Sequence, residues 1–489
     1  MSALTSTPHD RGFAKVLGSF ETLLFGFGAM IGFGWITSTG GWLDDAGLAG
    51  AVIAFGIGGV IMVLVGLVYS ELVSAMPLAG GEHNYLIRAM GPKASVFGSW
   101  AIAGGYISVV LFEAVAAPRT FGYMIPGLTE AVPMYTVAGY EVGLIWALIG
   151  SAIAAIITWV NIRGVKVASL VQTFVVLFIV FVMLLFVIGI FVGGETANAE
   201  PFFGAGATPV AGIVAVIAVV PFFFVGFDVI PQSAEELRIP ARRIGIVLLW
   251  SVVAAVAFYM IIIVAVGLGM SPADRAASEE SLGLVTADAL GTMFGGAFWT
   301  NVVLAGGAAG IITSWIAFMA GSSRLLWAMG NSGMIPAWFS RMHPRYKTPV
   351  NALLFIGVLA VIAPFGGVAV LVWAVDAGSP MITITYFLVA IAFLVLRRKE
   401  TDMDRPFTAG RGGLGVLVGI IAAVLTGILT ILYIPGLTPW STTLAWQSYL
   451  ICGVWLLVGV VFALRLPAVK AGPDAEHDLL AALSRRRSR

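Results

Sequence analysis

The sequence predicts an all-α, polytopic membrane protein with twelve transmembrane helices, and three observations carry that prediction. Hydrophobic residues fill 60% of 489 positions and charged residues only 10%. A water-soluble protein of this length cannot cover so much apolar surface with polar side chains. The apolar residues fall in runs of about 20, the helical length that crosses a bilayer core. Finally, with the N-terminus placed in the cytoplasm, 24 of the 26 lysines and arginines lie on the inner side, and only Arg119 and Arg275 lie outside. This bias is the positive-inside rule. It calls for an even number of spans, with both termini in the cytoplasm. A β-barrel is excluded, because its strands would be about 10 residues of alternating polarity.

In chain order, a cytoplasmic tail (1–19) leads into spans near 20–38, 48–69, 96–118, 143–162 and 168–193. A second set follows near 209–230, 242–268, 295–326, 350–374 and 378–396, then two more near 413–434 and 447–464, and a tail over 465–489. Each is justified by length and apolarity, and each is bounded by a charged or Pro/Gly-containing loop. The loops are too short for a separate soluble domain. The first run is too long for a cleavable signal peptide and lacks a small-residue cleavage site, so it is expected to remain as span one. One cysteine, Cys452, forms no intrachain disulfide and reveals nothing of the redox compartment. The Arg485–Arg487 run reads as an inner-side charge that can meet lipid head groups, not as a nucleic-acid contact.

Span one interrupts itself. Gly26, Gly28, Gly32 and Gly34 crowd one stretch of it, and glycine loses the most entropy on entering a helix. Span six is interrupted by Pro221, Gly226 and Pro231, with Asp228 among them. Glycine also lets membrane helices pack closely, so either cluster alone could be a packing face. Breakers at matched positions of two halves point instead to unwound segments lining a transport site. The second break comes five spans after the first, an odd number. The unit 209–396 is therefore inverted relative to 20–193, and 413–464 stands outside the repeat.

Several loops carry a more specific signal. Tyr69 through Pro92, with Ser-Glu-Leu, Met-Pro-Leu-Ala-Gly-Gly and Ala-Met-Gly-Pro, resembles the signature after the second span of the amino acid–polyamine–organocation transporter family. Ser323 through Pro349 resembles that family's loop after span eight, Phe224 to Glu236 its span six and following loop, and Asn161-Ile-Arg-Gly-Val its fifth-span start. The matches run in order along most of the chain. The resemblance implies the leucine-transporter fold, a five-plus-five inverted repeat with broken helices 1 and 6 plus two C-terminal helices, and alternating access around a central site. The family's Gly-Ser-Gly-like motif corresponds to Gly32-Phe33-Gly34, where Phe33 replaces a small hydroxyl and narrows or greases the pocket floor.

A half-helix N-terminus offers free N–H groups and a positive dipole end. Residues Ile31, Gly32, Phe33, Gly34 and Trp35 are thus the expected seat of a substrate carboxylate, with the second half of span one beginning near Gly34–Trp35. The first half of span six is expected to end near Pro221–Phe223, its unpaired carbonyls accepting from a substrate ammonium, and Gly226 is a further substrate-binding candidate. Phe222, Phe223 and Phe224 are candidates for an aromatic lid, or are core and lipid-facing residues. Two acids lie at membrane depth, where a charge is a functional candidate. Asp228 satisfies freed N–H groups or takes part in function. Glu113 pairs with Arg119, recognises a cationic substrate, or carries a proton.

Many proton-linked relatives place a lysine in span five, at a position that falls near Ile179 here, and span five has no lysine after Lys166. The adjacent hydroxyls Thr313 and Ser314 resemble the pair with which sodium-coupled members of the wider fold bind Na+ beside span-one carbonyls, here those of Gly28 and Ile31. Hard cations suit such oxygens; interhelical hydrogen bonding is the plainer use. The expectation is a secondary carrier of an amino acid or related amine in the plasma membrane, with sodium slightly favoured over proton as coupling ion. A polyamine or organic-amine exchanger or uniporter is the alternative. No span shows the polar stripe of a channel. No Walker loop and no metal-spaced cluster of His9, His83, His343 and His477 suggests an enzyme. No cofactor is expected beyond the coupling ion. The expected partners are a small-molecule substrate and the lipid bilayer, not nucleic acid, with the chain acting as monomer or homodimer.

Overall fold

A computed structural model describes residues 13, 15–125, 127–128, 131–204, 208–280, 284–442 and 444–487, without side chains for 165–171, 280 and 487. Most of the expected N-terminal tail, including Arg11, and the terminal Arg489 lie outside the described residues. Among those described, eleven helices are long and apolar enough to cross a membrane, and a shorter apolar helix over Val350–Gly366 stands in the place of span nine. A small antiparallel hairpin, Pro133–Val137 with Tyr140–Gly143, joins spans three and four.

Both interrupted spans are broken. The first half-helix of span one (1a) is Ser19–Met30, and Gly34–Thr37 opens the second (1b). The helical path then continues through Thr39–Ala75, interrupted at Gly47 (φ 71°, ψ 171°). Span one therefore extends well past residue 38, and a single glycine turns the chain into span two. Gly47 holds this turn because a Cβ there would lie 2.6 Å from the backbone of Phe202 and Phe203. In span six, the first half (6a) is Pro209–Phe224 and the second (6b) Val229–Gln232. The chain parts at Val225–Asp228. Pro221 stays inside 6a, so the helix ends one residue later than Phe223, and Pro231 stays inside 6b. Gly226 (φ 132°) makes the break, because a Cβ there would lie 2.8 Å from the backbone of Ala29 and 2.9 Å from that of Met30.

The expected boundary between spans nine and ten is corrected. Span nine stops at Ile362 with a 3-10 turn, Ala363–Gly366, and Ala369–Lys399 is one helix that keeps Pro380 inside it. Residues 369–374 thus belong to span ten. Pro364 starts the turn, and Gly367 (φ 65°) lets the chain reverse there. The loop after span two also differs from expectation. It holds a buried helix, Glu82–Met90, in which His83 is 1% exposed.

Half-helix 1a packs on spans five, seven and eight, and 6a packs on the 1b–span two segment and span ten. At the charge-rich end, Val16 and Leu17 N–H donate to the Glu236 carbonyl (2.9 and 3.1 Å), and Arg238 N–H donates to the Leu17 carbonyl (2.8 Å). The segments flanking 1a and 6b are thereby stitched together. A buried ion pair, Arg324 Nε to Glu236 Oε1 at 2.7 Å, pins the stitch to the end of span eight. At the opposite end, the helix Pro272–Glu280 lays Glu279 over Gly40 of 1b. Burial, then Asp44, holds the Glu279 carboxyl above its usual range.

Candidate functional site

The two breaks face each other across a small cavity lined by Gly32 and Gly34 from span one, Phe222, Phe223 and Val225 from span six, and Glu113, Tyr259 and Ser314 from spans three, seven and eight. About 20 Å³ of it accommodates the centre of a water-sized sphere, room for about one water.

Several peptide groups at the breaks are bare. Among the described residues, the N–H groups of Gly32, Gly34 and Trp35 donate no hydrogen bond, and the carbonyls of Phe222, Phe223, Phe224 and Val225 accept none. The second set is freed by a local exchange. The Gly226 N–H, which would have closed the last turn of 6a, donates to Asp228 Oδ1 (2.9 Å). Asp228 Oδ2 accepts from the Tyr386 hydroxyl (3.1 Å). Asp228 is therefore the cap that holds the break open, and it does not line the cavity.

Glu113 occupies part of the seat expected for a substrate carboxylate. Its Oε1 accepts from the Phe33 N–H (3.3 Å), while its Oε2 is buried without a partner. A Cβ on Gly32 would collide with Glu113 Oε1 and lie 3.0 Å from Ser314 Oγ, so the glycine makes room for this carboxylate. Glu113 forms no ion pair with Arg119, whose charge is met by Glu279 instead.

Three aromatic candidates turn away from the cavity. Phe33 packs against Gly307 of span eight, so it does not form the pocket floor. Trp35 stacks edge-on against Phe186 and Phe258, and its carbonyl takes the hydroxyls of Thr39 (2.6 Å) and Thr286 (2.9 Å). Phe224 lies against Phe55 and Tyr259. Phe222 and Phe223 do line the cavity, with Phe223 seated directly over Gly34. Consecutive residues on a helix point about 100° apart. Three phenylalanines in a row therefore cannot all face one space.

Span eight lies against the span-one break. A Cβ on Gly310 would lie 2.5 Å from the Gly32 carbonyl and 2.9 Å from that of Ile31, and Thr313 faces Gly28. The Thr313 hydroxyl donates within its own helix, to Gly310 O (3.0 Å) and Ala309 O (3.3 Å), while Ser314 Oγ is buried and unpartnered. The carbonyls of Gly28 and Ile31 accept no bond among the described residues. Two contributors were missed from sequence. Tyr259 lines the cavity and donates to the Met30 carbonyl (2.9 Å). Gln172 of span five donates to the Phe25 carbonyl (3.3 Å) and lies against Gly28. Neither stands in a motif or beside a breaker, and only a length-preserving pattern for spans five and seven could have flagged them. Ile179 is a buried core residue.

Comparison with known proteins gives the same class. The chain is 27% identical over 468 residues to a branched-chain amino acid permease of Bacillus subtilis, covering 94% of each chain. It is 25% identical over 473 residues to a methylthioribose transporter of the same organism, covering 94% of this chain and 95% of the other. It is 28% identical over 409 residues to cationic amino acid transporter 6 of Arabidopsis thaliana, covering 80% of this chain and 67% of that one. The family model for amino acid permeases matches residues 17–461, and the chain, a permease and not an enzyme, belongs to that family.

Proposed function

We propose that the chain is a secondary active carrier of amino acids, working by alternating access in the plasma membrane with both termini in the cytoplasm. The observation that carries this reading is the pair of facing, unpaired peptide edges: N–H groups from Gly32, Gly34 and Trp35 on one side, carbonyls of Phe222 to Val225 on the other. In hydrocarbon each unsatisfied group costs several kcal/mol, on the order of 1–3 or more. Such edges persist where a solute completes them. A zwitterion does so, with its carboxylate at the 1b N-terminus and its ammonium between the 6a carbonyls and the open Oε2 of Glu113. The walls, Val109, Phe112, Phe222, Phe223 and Phe318, suit an apolar side chain. Space for about one water means that an amino acid enters only after the half-helices move, as alternating access requires. The five-plus-five inverted repeat is supported by breaks in spans one and six.

A second reading, carriage of a cationic amine or polyamine, is favoured by Glu113 alone, a buried carboxylate with one bare oxygen beside the cavity. Reconstitution in proteoliposomes tests both. Saturable uptake of leucine exceeding that of arginine and spermidine is expected. Preference for spermidine would select the second reading, and linear, non-saturating flux of all three would exclude a carrier.

For coupling, the bare carbonyls of Gly28 and Ile31 beside Thr313 and Ser314 support sodium, a hard cation that takes such oxygens. Span five offers the neutral amide of Gln172 toward span one rather than an ammonium. Replacing both hydroxyls, Thr313→Ala with Ser314→Ala, is expected to abolish the stimulation of leucine uptake by an inward sodium gradient. Stimulation equal to wild type removes this site.

A further inference from the structure

Below the substrate cavity, toward the cytoplasm, lies a polar cage that joins the break's cap, Asp228, to Glu82, a residue the carrier reading above leaves unused. Glu82, at the start of the helix after span two, and Asp228 in span six are both 0% exposed. Neither forms an ion pair among the described residues. The adjacent His83 turns elsewhere, bonding Ser332 Oγ (2.9 Å) and Ser95 Oγ (3.2 Å). The groups facing Glu82 are Tyr69 from span two, Tyr85 from its own helix, and Gln232 and Asp228 from span six. Tyr386 of span ten and Tyr106 of span three face Asp228. All are neutral or acidic.

Two carboxylates buried together without a cation cannot both remain charged: each uncompensated charge costs several kcal/mol, on the order of 3–5 even in relaxed proteins. Neighbouring carboxyls resolve this by holding a proton between them. The hydrogen-bond inventory agrees. The Gln232 Nε2 group donates to Glu82 Oε2. Glu82 Oε1 and Gln232 Oε1 are both acceptors, both buried, and both lack a partner. The Tyr69 hydroxyl, also buried without a partner, is a donor for one of these acceptors, and a proton on Glu82 supplies a donor for the other while removing a buried charge.

We propose that Glu82, sharing the cage with Asp228, is a proton-binding site that is loaded in this closed arrangement and emptied to the cytoplasm when 6b moves. Burial, then Asp228, holds the Glu82 carboxyl well above its usual range. The release step follows from the contact with Gln232, the last residue of 6b. Gly81 (φ 40°) brings the loop so close that a Cβ there would lie 3.0 Å from Gln232 Nε2, and the Gly80 N–H donates to the Gln232 carbonyl (3.4 Å). Displacing 6b breaks these contacts and wets Glu82. The carboxylic acid then dissociates to carboxylate, its proton passing to cytoplasmic water. The proton site stands on the cage itself, whereas its release in transport rests on the carrier reading.

Infrared difference spectroscopy on the purified full-length protein at pH 7 tests it. Wild type minus Glu82→Gln is expected to show the carbonyl stretch of a protonated carboxyl, shifted by deuterium exchange. If that variant does not fold, Gln232→Ala is expected to shift the same band, because its amide donates to Glu82. The sign of the pH effect is fixed. The folded state binds this proton more tightly than the unfolded chain. Its stabilisation is therefore complete below the ordinary glutamate range and is lost as pH rises through the folded value, so the wild-type Tm falls with pH more steeply than that of Glu82→Gln. Carboxylate bands alone in the difference spectrum overturn the proposal and leave the cage to a metal cation. Absence of leucine, arginine and spermidine counterflow in wild type would remove the carrier reading without touching the spectroscopic result.

Discussion

Gly34→Leu is expected to reduce uptake to background while leaving expression and membrane insertion intact. A Cβ at this position collides with the Phe223 ring, whose Cδ1 lies 2.6 Å away, and Phe223 is itself held edge-on by Trp42 at 4.8 Å between ring centres. A leucine must therefore displace Phe223 or stop 1b from approaching 6a. Overpacking a dense site costs about 1–3 kcal/mol, and here the strain falls on the surface that must close around substrate. Insertion is decided by the apolarity of each span, which leucine increases. The check is radiolabelled leucine uptake in proteoliposomes, normalised to folded protein recovered by size-exclusion chromatography. Transport at the wild-type rate would remove the site from the breaks.

Glu236→Ala is expected to lower stability by about 3–5 kcal/mol. The Glu236 and Arg324 side chains are 3% and 2% exposed. Arg324 also donates to the Ala320 carbonyl (3.1 Å) and the Ser323 hydroxyl (3.2 Å). Removing the carboxylate leaves a guanidinium buried with only neutral partners, and most of the cost is that stranded charge. The same residue's carbonyl ties Val16 and Leu17 to the end of span six, so the ends of the two broken spans should loosen as well. Thermal unfolding followed by intrinsic fluorescence measures the effect. The double replacement Glu236→Leu with Arg324→Met, which removes both charges, should recover much of the Tm. A single variant as stable as wild type would show that the pair does not hold this end closed.

The span pattern was legible because each helix must satisfy its own backbone in hydrocarbon, and apolar runs of fixed length announce that locally. The breaks at Gly32 and Gly226 were legible because breakers cluster at matched positions of the two halves, although single prolines such as Pro221 and Pro380 stay inside their helices. The division between spans nine and ten was not. Residues 369–374 are as apolar as the helix before them, and only the turn at Pro364 and Gly367 separates them. Phe33 illustrates a different failure. Its position beside Gly32 and Gly34 suggested the pocket, but the unwound backbone rotates it toward Gly307. Glu113 was visible as a buried acid, yet nothing in span three indicated that its carboxylate would reach the Phe33 N–H.

By itself the sequence determined an α-helical membrane protein, the number of its spans, and the two places where helices stop inside the bilayer. These follow from hydrophobicity, charge and backbone freedom, all properties of short segments. Which of Phe222, Phe223 and Phe224 meets the cavity, that Asp228 caps the break rather than lining the site, and that Glu82 joins it in a cage without cations were decided only by tertiary structure. Each depends on the rotation of one helix against another, and that rotation is set by side-chain packing among residues far apart in the chain.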